Sequence, residues 1–220
     1  MLEKEGRIVT LNDLMDEYIY KKAGMTSTTY NPKGDNISGN GGYDTLVHDP
    51  ITRIMGGILG SAGIFTTSSD LNRLAKSLYS VNYANVSLLS KRNLQKLGEI
   101  TFPNSEQSGK GNLGVYVKSP NPNKTFVPLV FSKNSFAHQG WTGAIALFDP
   151  NNNIHFNFLP NAILKAKDEF IKNDKPVGYI NAWSDYQEAI INNIMVMLII
   201  KKYFNLYKNQ DIEINKQIKI

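Results

Sequence analysis

The sequence of 220 residues contains no cysteine. This absence excludes a disulfide scaffold, a cysteine-ligated zinc site and a cysteine nucleophile. A strong excess of one charge is also lacking, because 24 Lys and Arg stand against 19 Asp and Glu and leave a net charge of only +5. No run of like charges reaches the five or six that mark a nucleic-acid-binding tail. We therefore expect no nucleic-acid partner.

Long hydrophobic runs are missing as well. The longest apolar stretch, Ile194–Ile200, is well short of the ~20 residues that a membrane-spanning helix needs. The N-terminal Met-Leu-Glu-Lys-Glu-Gly has no basic segment leading into an apolar one, so it does not have the pattern of a signal peptide. We expect a soluble chain without an export signal, in a compartment that the sequence does not specify.

Several catalytic and cofactor motifs are absent. No serine has a lysine three residues later, and Gly60-Ser61-Ala62-Gly63 does not have the spacing of a Gly-x-Ser-x-Gly nucleophile elbow. The three histidines, His48, His138 and His155, are too dispersed for a zinc motif. The glycine-rich stretch lacks the Gly-Lys-Ser/Thr of a phosphate-binding loop. We expect neither a metal nor another cofactor.

The sequence does contain segments with helical periodicity and short strand-like segments. Helices are predicted at Asn12–Lys22 with Asn12 as the cap, from Thr67-Ser68-Ser69-Asp70-Leu71 to about Tyr79, at Lys91–Leu97 with Ser90 as the cap, and at Trp183–Tyr207. Strands separated by turn-forming clusters are predicted at Leu113–Lys118, Phe126–Phe131, Ser135–Gln139, Ala144–Phe148 and Ile154–Leu159. Such short connections favour antiparallel hairpins over parallel crossovers.

Five short motifs follow one another along the chain. They are Tyr20-Lys21-Lys22-Ala23-Gly24-Met25, Val47-His48-Asp49-Pro50 with the stretch Gly56 to Leu71, Leu113-Gly114, Phe136-Ala137-His138-Gln139-Gly140-Trp141-Thr142-Gly143, and Phe148-Asp149-Pro150 with Phe158-Leu159-Pro160-Asn161. In this order they resemble the serine β-lactamase-like family, in the branch that holds class C β-lactamases, D,D-peptidases and esterases among the penicillin-binding proteins. The resemblance extends from about Leu11 to Tyr207.

The resemblance implies an α+β fold, in which an antiparallel sheet flanked by helices joins a helical subdomain and the active site lies between them. We expect part of the helical subdomain with active-site loops at residues 1–110, and the sheet strands with the C-terminal helix at residues 111–220. Five apolar side chains of that helix should pack on the sheet: Ile190, Ile191, Ile194, Met197 and Leu198.

The resemblance also shows which motifs are missing. In the family, the nucleophile motif Ser-x-x-Lys and the second motif Tyr-x-Asn precede the segment that resembles Tyr20–Met25. Tyr83-Ala84-Asn85 matches the second motif by its letters, but it follows the glycine-rich stretch, so we interpret it as a loop. We therefore expect a C-terminal portion of the family fold, without the N-terminal part and inactive alone.

The third motif of the family is the part of the site that can be carried over. His138 aligns with its Lys or His, which helps to bind the substrate carboxylate or to tune proton transfer. Gly140 would let the substrate backbone approach the strand, and the Trp141 N–H would be one oxyanion donor. Gln139 stands where the family often has Thr or Ser, so the chain departs there from carboxylate recognition by a hydroxyl.

Other conspicuous residues are assigned structural roles. We expect His48 and Asp49 to fix a loop, Ser61 to be structural, and Trp183 and Tyr186 to belong to the core.

The resemblance implies acyl-serine chemistry on D-Ala-D-Ala peptides, β-lactams or esters, in a family that usually works outside the cytoplasmic membrane. Two alternatives stay open. In the first, the chain is a non-catalytic module that binds peptidoglycan or peptides, or that has a regulatory role. In the second, the chain is half of a split or truncated enzyme that needs the missing N-terminal part. A missing N-terminal part would leave a sheet edge exposed and favour self-association. The DNA upstream of the Met1 codon would distinguish these alternatives.

Overall fold

The computed structural model describes residues 2–4, 7–33, 37, 45–47, 49–79, 87–99, 113–119, 127–140 and 144–159. All of them lie in the first of two units, Met1–Gly178 and Tyr179–Ile220. The predicted C-terminal helix with Trp183 and Tyr186, and also His48, Tyr83-Ala84-Asn85 and Trp141, lie outside the described residues. The predicted division between residues 110 and 111 stays a prediction.

Thr10, and not Asn12, begins the first helical segment. A hairpin of β1 (Leu2–Lys4) and β2 (Arg7–Val9) leads into α1 (Leu11–Met15), a π-helical turn (Asp16–Tyr20) and α2 (Lys21–Ala23). The Thr10 hydroxyl accepts the Asp13 N–H at 3.2 Å, and the Asp13 carboxylate accepts the Thr10 N–H at 2.9 Å. This reciprocal capping box pairs two N–H groups that the first helical turn leaves unpaired, which is why our assignment of the cap to Asn12 was wrong.

Three further helices follow, α3 (Pro50–Ile54), α4 (Ser68–Tyr79) and α5 (Lys91–Leu97). The predictions of α4 and α5 are confirmed, and the Ser90 hydroxyl caps α5 by accepting the Asn93 N–H at 3.2 Å. The sequence analysis missed α3, although Asp49 followed by Pro50 is a typical start of a helix. Within the described ranges, no helix combines the length and the apolar composition that crossing a bilayer requires.

Four antiparallel strands form the main sheet in the order β3 (Tyr116–Val117), β4 (Phe136–Gln139), β5 (Ile145–Asp149) and β6 (Ile154–Phe158). Four of the five predicted strands are thereby confirmed; β3, β4 and β6 are shorter than predicted, and β5 is shifted by one residue. The prediction of a strand at Phe126–Phe131 is wrong for its described part, because residues 127–131 form turns. The Phe131 N–H donates to the Pro128 carbonyl at 3.1 Å, and the Lys118 ammonium donates to the carbonyls of Leu129 and Phe131.

Both faces of this sheet carry buried side chains. On one face the stacked rings of Phe136 and Phe148, with centroids 5.1 Å apart, pack with Val117 against Ala75 of α4 and Leu94 of α5. On the other face lie three further buried residues, Ala137, Ile145 and Leu147. Side chains alternate between the faces of a strand, so burial of consecutive residues indicates a sheet covered on both sides.

Candidate active site

The hairpin of β4 and β5 carries three of the four residues predicted for the substrate site. His138 pairs with Ala146 and Gln139 with Ile145 in the ladder, and the Gly140 N–H donates to the Ala144 carbonyl at 2.7 Å. The predicted antiparallel pairing of the third-motif strand is thereby confirmed. The fourth residue, Trp141, falls in the connection that lies outside the described residues.

His138 is exposed at the end of β4, on the face that also carries Phe136. Its ring lies near that of Tyr116, with 6.2 Å between the centroids. Desolvation by the surrounding residues lowers the pKa of His138 below its ordinary 6.5. The imidazole is therefore neutral at neutral pH and can donate and accept hydrogen bonds. The predicted groove in front of it stays a prediction.

The ladder between β3 and β4 ends before His138. Tyr116 pairs with Ala137 and Val117 with Phe136, and the residues before Tyr116 form a turn in which Gly114 has a φ of 78°. The last part of β4 thus extends beyond β3.

Gly140 is not required by the packing of the hairpin itself. A Cβ atom built on it would lie 3.4 Å from the Ala144 Cβ and 3.7 Å from the Ala144 carbonyl oxygen, which are ordinary contact distances. Internal contacts of the described fold would therefore accept an alanine there.

The glycine-rich stretch is fixed against the loop that follows α2. Thr29 and Phe65 exchange two backbone hydrogen bonds of 3.0 and 2.8 Å. Gly63 has a φ of 115°, and a Cβ on it would lie 2.5 Å from the Gly57 carbonyl oxygen and 3.1 Å from the Tyr30 ring. Here only glycine fits, because the backbone conformation and the close approach both exclude a side chain.

Asp49 was predicted to fix a loop, and the structure places it instead at the start of a helix. Its carboxylate accepts the Thr52 N–H at 2.7 Å and so caps α3. Ser61 is exposed in the glycine-rich stretch, and its structural role stays a prediction.

The sequence analysis did not identify Asp70 as a structural centre. This fully buried carboxylate accepts hydrogen bonds from the Ser27 N–H at 2.7 Å, the Thr28 hydroxyl at 2.8 Å and the Arg73 guanidinium at 2.6 Å. The Thr28 hydroxyl also lies 2.8 Å from that of Thr66. Asp70 therefore holds the loop after α2 against the start of α4. No local pattern shows this, because Ser27 and Thr28 lie about forty residues from Asp70 in the sequence.

A second polar cluster connects α4 to the sheet. The side-chain oxygen Oδ1 of Asn72 accepts the Asn157 side-chain N–H at 2.7 Å and lies 3.1 Å from Nε2 of His155. Desolvation, followed by the charge of Lys76, lowers the pKa of His155 below its ordinary 6.5. A neutral imidazole with its hydrogen on Nε2 satisfies this contact as a donor.

Asp149 fixes the turns on both sides of the β4–β5 hairpin at the end away from His138. It is fully buried and accepts hydrogen bonds from the backbone and hydroxyl of Ser132 and from the backbone and amide of Asn152. Burial alone would raise the pKa of this carboxyl, but the hydrogen bonds outweigh it and lower the pKa.

In the part of the chain that the structure describes, no group of three His, Asp or Glu is arranged to hold a metal.

Comparisons with known proteins agree with this architecture. The family model described as Beta-lactamase matches residues 7–175. A protein of Escherichia coli O157:H7 named "Putative D-alanyl-D-alanine carboxypeptidase" is 27% identical over 180 residues, which cover 69% of this chain and 40% of that protein. Proteins of the same name from Escherichia coli K12 and Salmonella heidelberg SL476 are each 28% identical, over 69% and 70% of this chain.

The chain spans about 40% of the length of these relatives. The family match, in contrast, extends over most of the chain and includes the described helices and the four-stranded sheet. On these grounds the chain belongs to the β-lactamase family.

Proposed function

We propose that the chain supplies the substrate-recognition strand of a β-lactamase-family acyl-serine site. The substrate classes are those of the family: a D-Ala-D-Ala-type peptide, a β-lactam or an ester. The observation that supports this is the geometry of β4, whose end at His138–Gly140 extends beyond β3 with His138 exposed. A substrate can lie along such a strand end and use its backbone groups.

Three residues at and directly after the strand end have a proposed role. The neutral imidazole of His138 donates or accepts a hydrogen bond at the substrate or at the leaving group. Gly140, which the hairpin does not itself require, leaves room for the substrate backbone. The Trp141 N–H is proposed as one of the two oxyanion donors that acyl transfer needs.

We also propose that the 220-residue polypeptide forms no acyl-enzyme by itself. It contains no Ser-x-x-Lys, and loss of a serine nucleophile typically costs ~10⁶-fold in rate. The binding strand would then act together with a nucleophile on another segment or, as the second candidate, serve a non-catalytic module that binds cell-wall peptides. The absence of Ser-x-x-Lys supports both candidate functions equally.

Binding and acylation are tested separately. The ¹⁵N-labelled chain is titrated with an N-acetyl peptide ending in D-Ala-D-Ala, as the free acid and as the carboxamide, while the amide signals of β4 are followed. We expect shifts at His138–Gly140 that His138→Ala removes and that Lys133→Ala, a change in the exposed turn before β4, leaves intact. Absence of shifts with both probes would contradict the proposed function.

Acylation is tested with a fluorescent penicillin, denaturing electrophoresis and intact mass. We expect no covalent adduct on the chain. A stoichiometric adduct on Ser61 or any other serine would show that the chain has a nucleophile of its own.

A further inference from the structure

The His138 side chain lies beside an aromatic ring of the neighbouring strand. The imidazole and the phenol ring of Tyr116 have centroids 6.2 Å apart, and their planes are inclined by 47°. Aromatic pairs attract each other at centroid distances of about 4.5–7 Å when the rings are offset or tilted. The two rings therefore form a contact that restricts how the imidazole can turn.

Tyr116 is itself fixed by the short strand that carries it. In the ladder it pairs with the residue directly before His138. The next residue, Val117, is fully buried and belongs to the core of this sheet face. The Lys118 ammonium then donates to two carbonyls of the turn at residues 127–131. The phenol ring is thus attached to a backbone that core packing and hydrogen bonds hold in place.

The imidazole, in contrast, lies on a strand end that projects from the sheet. His138 is exposed, and the ladder between β3 and β4 ends one residue before it. An exposed imidazole turns about two side-chain bonds, and its immobilisation at a binding site costs part of the binding free energy. A neighbouring ring that already restricts the imidazole reduces this cost, because the side chain is preorganised before the substrate arrives.

We propose that Tyr116 is a positioning residue of the site, whose ring holds the His138 imidazole in the orientation in which it meets the substrate. The inference rests on the proposed function. It deepens that proposal by assigning the orientation of the binding side chain to a residue outside the third motif. Tyr116 acts through His138 and needs no contact of its own with the substrate.

Charged and titratable side chains are present on the elements around this sheet face. They are Asp70, Arg73 and Lys76 of α4, Lys91, Arg92 and Lys96 of α5, Lys118 after β3, and His155 of β6. A test of Tyr116 must keep all of these groups. Replacement of Tyr116 by an uncharged residue does so, because a tyrosine is itself neutral near neutral pH.

The first measurement follows the His138 imidazole in the 220-residue chain. Its ring-proton signals, identified by their loss in His138→Gln, are recorded by NMR between about pH 4.5 and about pH 8.5. In Tyr116→Leu these signals should move, and the pKa of His138 should rise towards its ordinary 6.5 because water reaches the imidazole. Tyr116→Phe keeps the ring and should restore both properties. Signals and a pKa that stay unchanged in Tyr116→Leu would overturn the inference.

The second measurement tests whether Tyr116 acts through His138. The N-acetyl D-Ala-D-Ala peptide is titrated into the same chains, and the shifts of the β4 amides give the dissociation constants. Tyr116→Leu should weaken binding by about 5-fold, whereas Tyr116→Phe should stay within about two-fold of the unmodified chain. In a His138→Gln chain, Tyr116→Leu should change the remaining affinity by less than about two-fold. A 5-fold loss that persists in His138→Gln would contradict the positioning role, because Tyr116 would then contact the peptide itself.

Tyr18→Leu is the matched control. Tyr18 is an exposed tyrosine of the π-helical turn, and its ring centroid lies 5.1 Å from the Lys22 ammonium nitrogen. The same substitution at this position should leave the His138 signals unchanged and the affinity within about two-fold. Equal effects of Tyr18→Leu and Tyr116→Leu would contradict the assignment to Tyr116.

The two levels of the proposal fail differently. If the peptide does not shift the β4 amides of the unmodified chain, either as the free acid or as the carboxamide, the proposed function fails and the inference falls with it. If the peptide binds the unmodified chain and Tyr116→Leu equally well, the proposed function stands and only the role of Tyr116 is wrong. If Tyr116→Leu does not give a folded chain, Tyr116→Met replaces it with the same expectations, because the longer and more adaptable methionine fills the space of the ring without an aromatic face.

Discussion

The Thr28 hydroxyl donates a hydrogen bond of 2.8 Å to the carboxylate of Asp70, which is fully buried at the start of α4. The same carboxylate accepts hydrogen bonds from the Ser27 N–H and the Arg73 guanidinium, so it joins the loop after α2 to α4. A buried carboxylate is stable only when its oxygens are fully hydrogen-bonded, and Asp70 meets that requirement with these three donors.

Removal of this carboxylate should destabilise the chain strongly. Asp70→Ala leaves the Ser27 N–H, the Thr28 hydroxyl and the Arg73 guanidinium without their acceptor, so we expect a loss of about 3–5 kcal/mol in the free energy of unfolding. Urea unfolding measures it. Asp13→Ala is the control, because Asp13 belongs to an exposed capping box whose loss costs about 1 kcal/mol. Equal losses in the two variants would contradict the role of Asp70.

Gly63 and Gly60 form a matched pair in the glycine-rich stretch. Gly63→Ala forces a Cβ to within 2.5 Å of the Gly57 carbonyl oxygen at a φ of 115°, and we expect a loss of at least about 2 kcal/mol. Gly60 has nothing within 4 Å of a Cβ, so Gly60→Ala should change stability by less than about 1 kcal/mol. The melting temperatures of the two variants give the comparison, and similar temperatures would contradict it.

His155 should make the docking of α4 on the sheet sensitive to mild acid. Burial and Lys76 lower the pKa of His155 below 6.5, so the folded chain favours the neutral imidazole beside Asn72. The contribution of the neutral His155 to the free energy of unfolding is therefore complete above about pH 6.5, the ordinary pKa that His155 has in the unfolded chain. It is lost as the pH falls through the lower pKa that His155 has in the folded chain.

The variant His155→Gln should reduce this pH dependence. We expect the unmodified chain to lose stability between about pH 7 and pH 5, and the variant to lose less over the same window. Urea midpoints at a series of pH values measure the slope. His138, whose pKa is also lowered, contributes a similar slope, so His138→Gln is measured in parallel. An unchanged slope in His155→Gln would contradict the prediction.

Local sequence signals predicted much of the fold. The short strand-like runs between turn-forming clusters predicted the hairpins of the sheet, and Ser90 correctly marked the start of α5. The turn at residues 127–131 was mistaken for a strand because its apolar composition is strand-like, whereas distant contacts determine its conformation. The carbonyls of this turn bind Lys118, and the next residue, Ser132, binds Asp149.

The candidate site was predictable only in part. The motif around His138 identified the strand, and its sequence spacing gave the hairpin with Ala146. The neighbours of the strand end were not predictable from that motif, because they depend on the register that places Ala146 and Asn157 in the row of His138. The role of Asp70 likewise depends on partners that are distant in sequence.

The protonation of His138 should alter which peptide the strand end prefers. Its pKa lies below 6.5, so the imidazole is neutral near pH 7.5 and gains a positive charge as the pH falls below its pKa. A charged imidazole can pair with a carboxylate, and the affinity for the free acid should therefore rise relative to the carboxamide towards about pH 5. His138→Gln keeps a neutral hydrogen-bonding side chain and should remove this change in the ratio. His155→Gln should preserve it, because His155 binds Asn72 of α4 on the neighbouring part of the sheet. The dissociation constants of the free acid and the carboxamide are measured at each pH for the unmodified chain and the two variants. If the ratio of these constants does not depend on pH in the unmodified chain, His138 does not contact the peptide terminus.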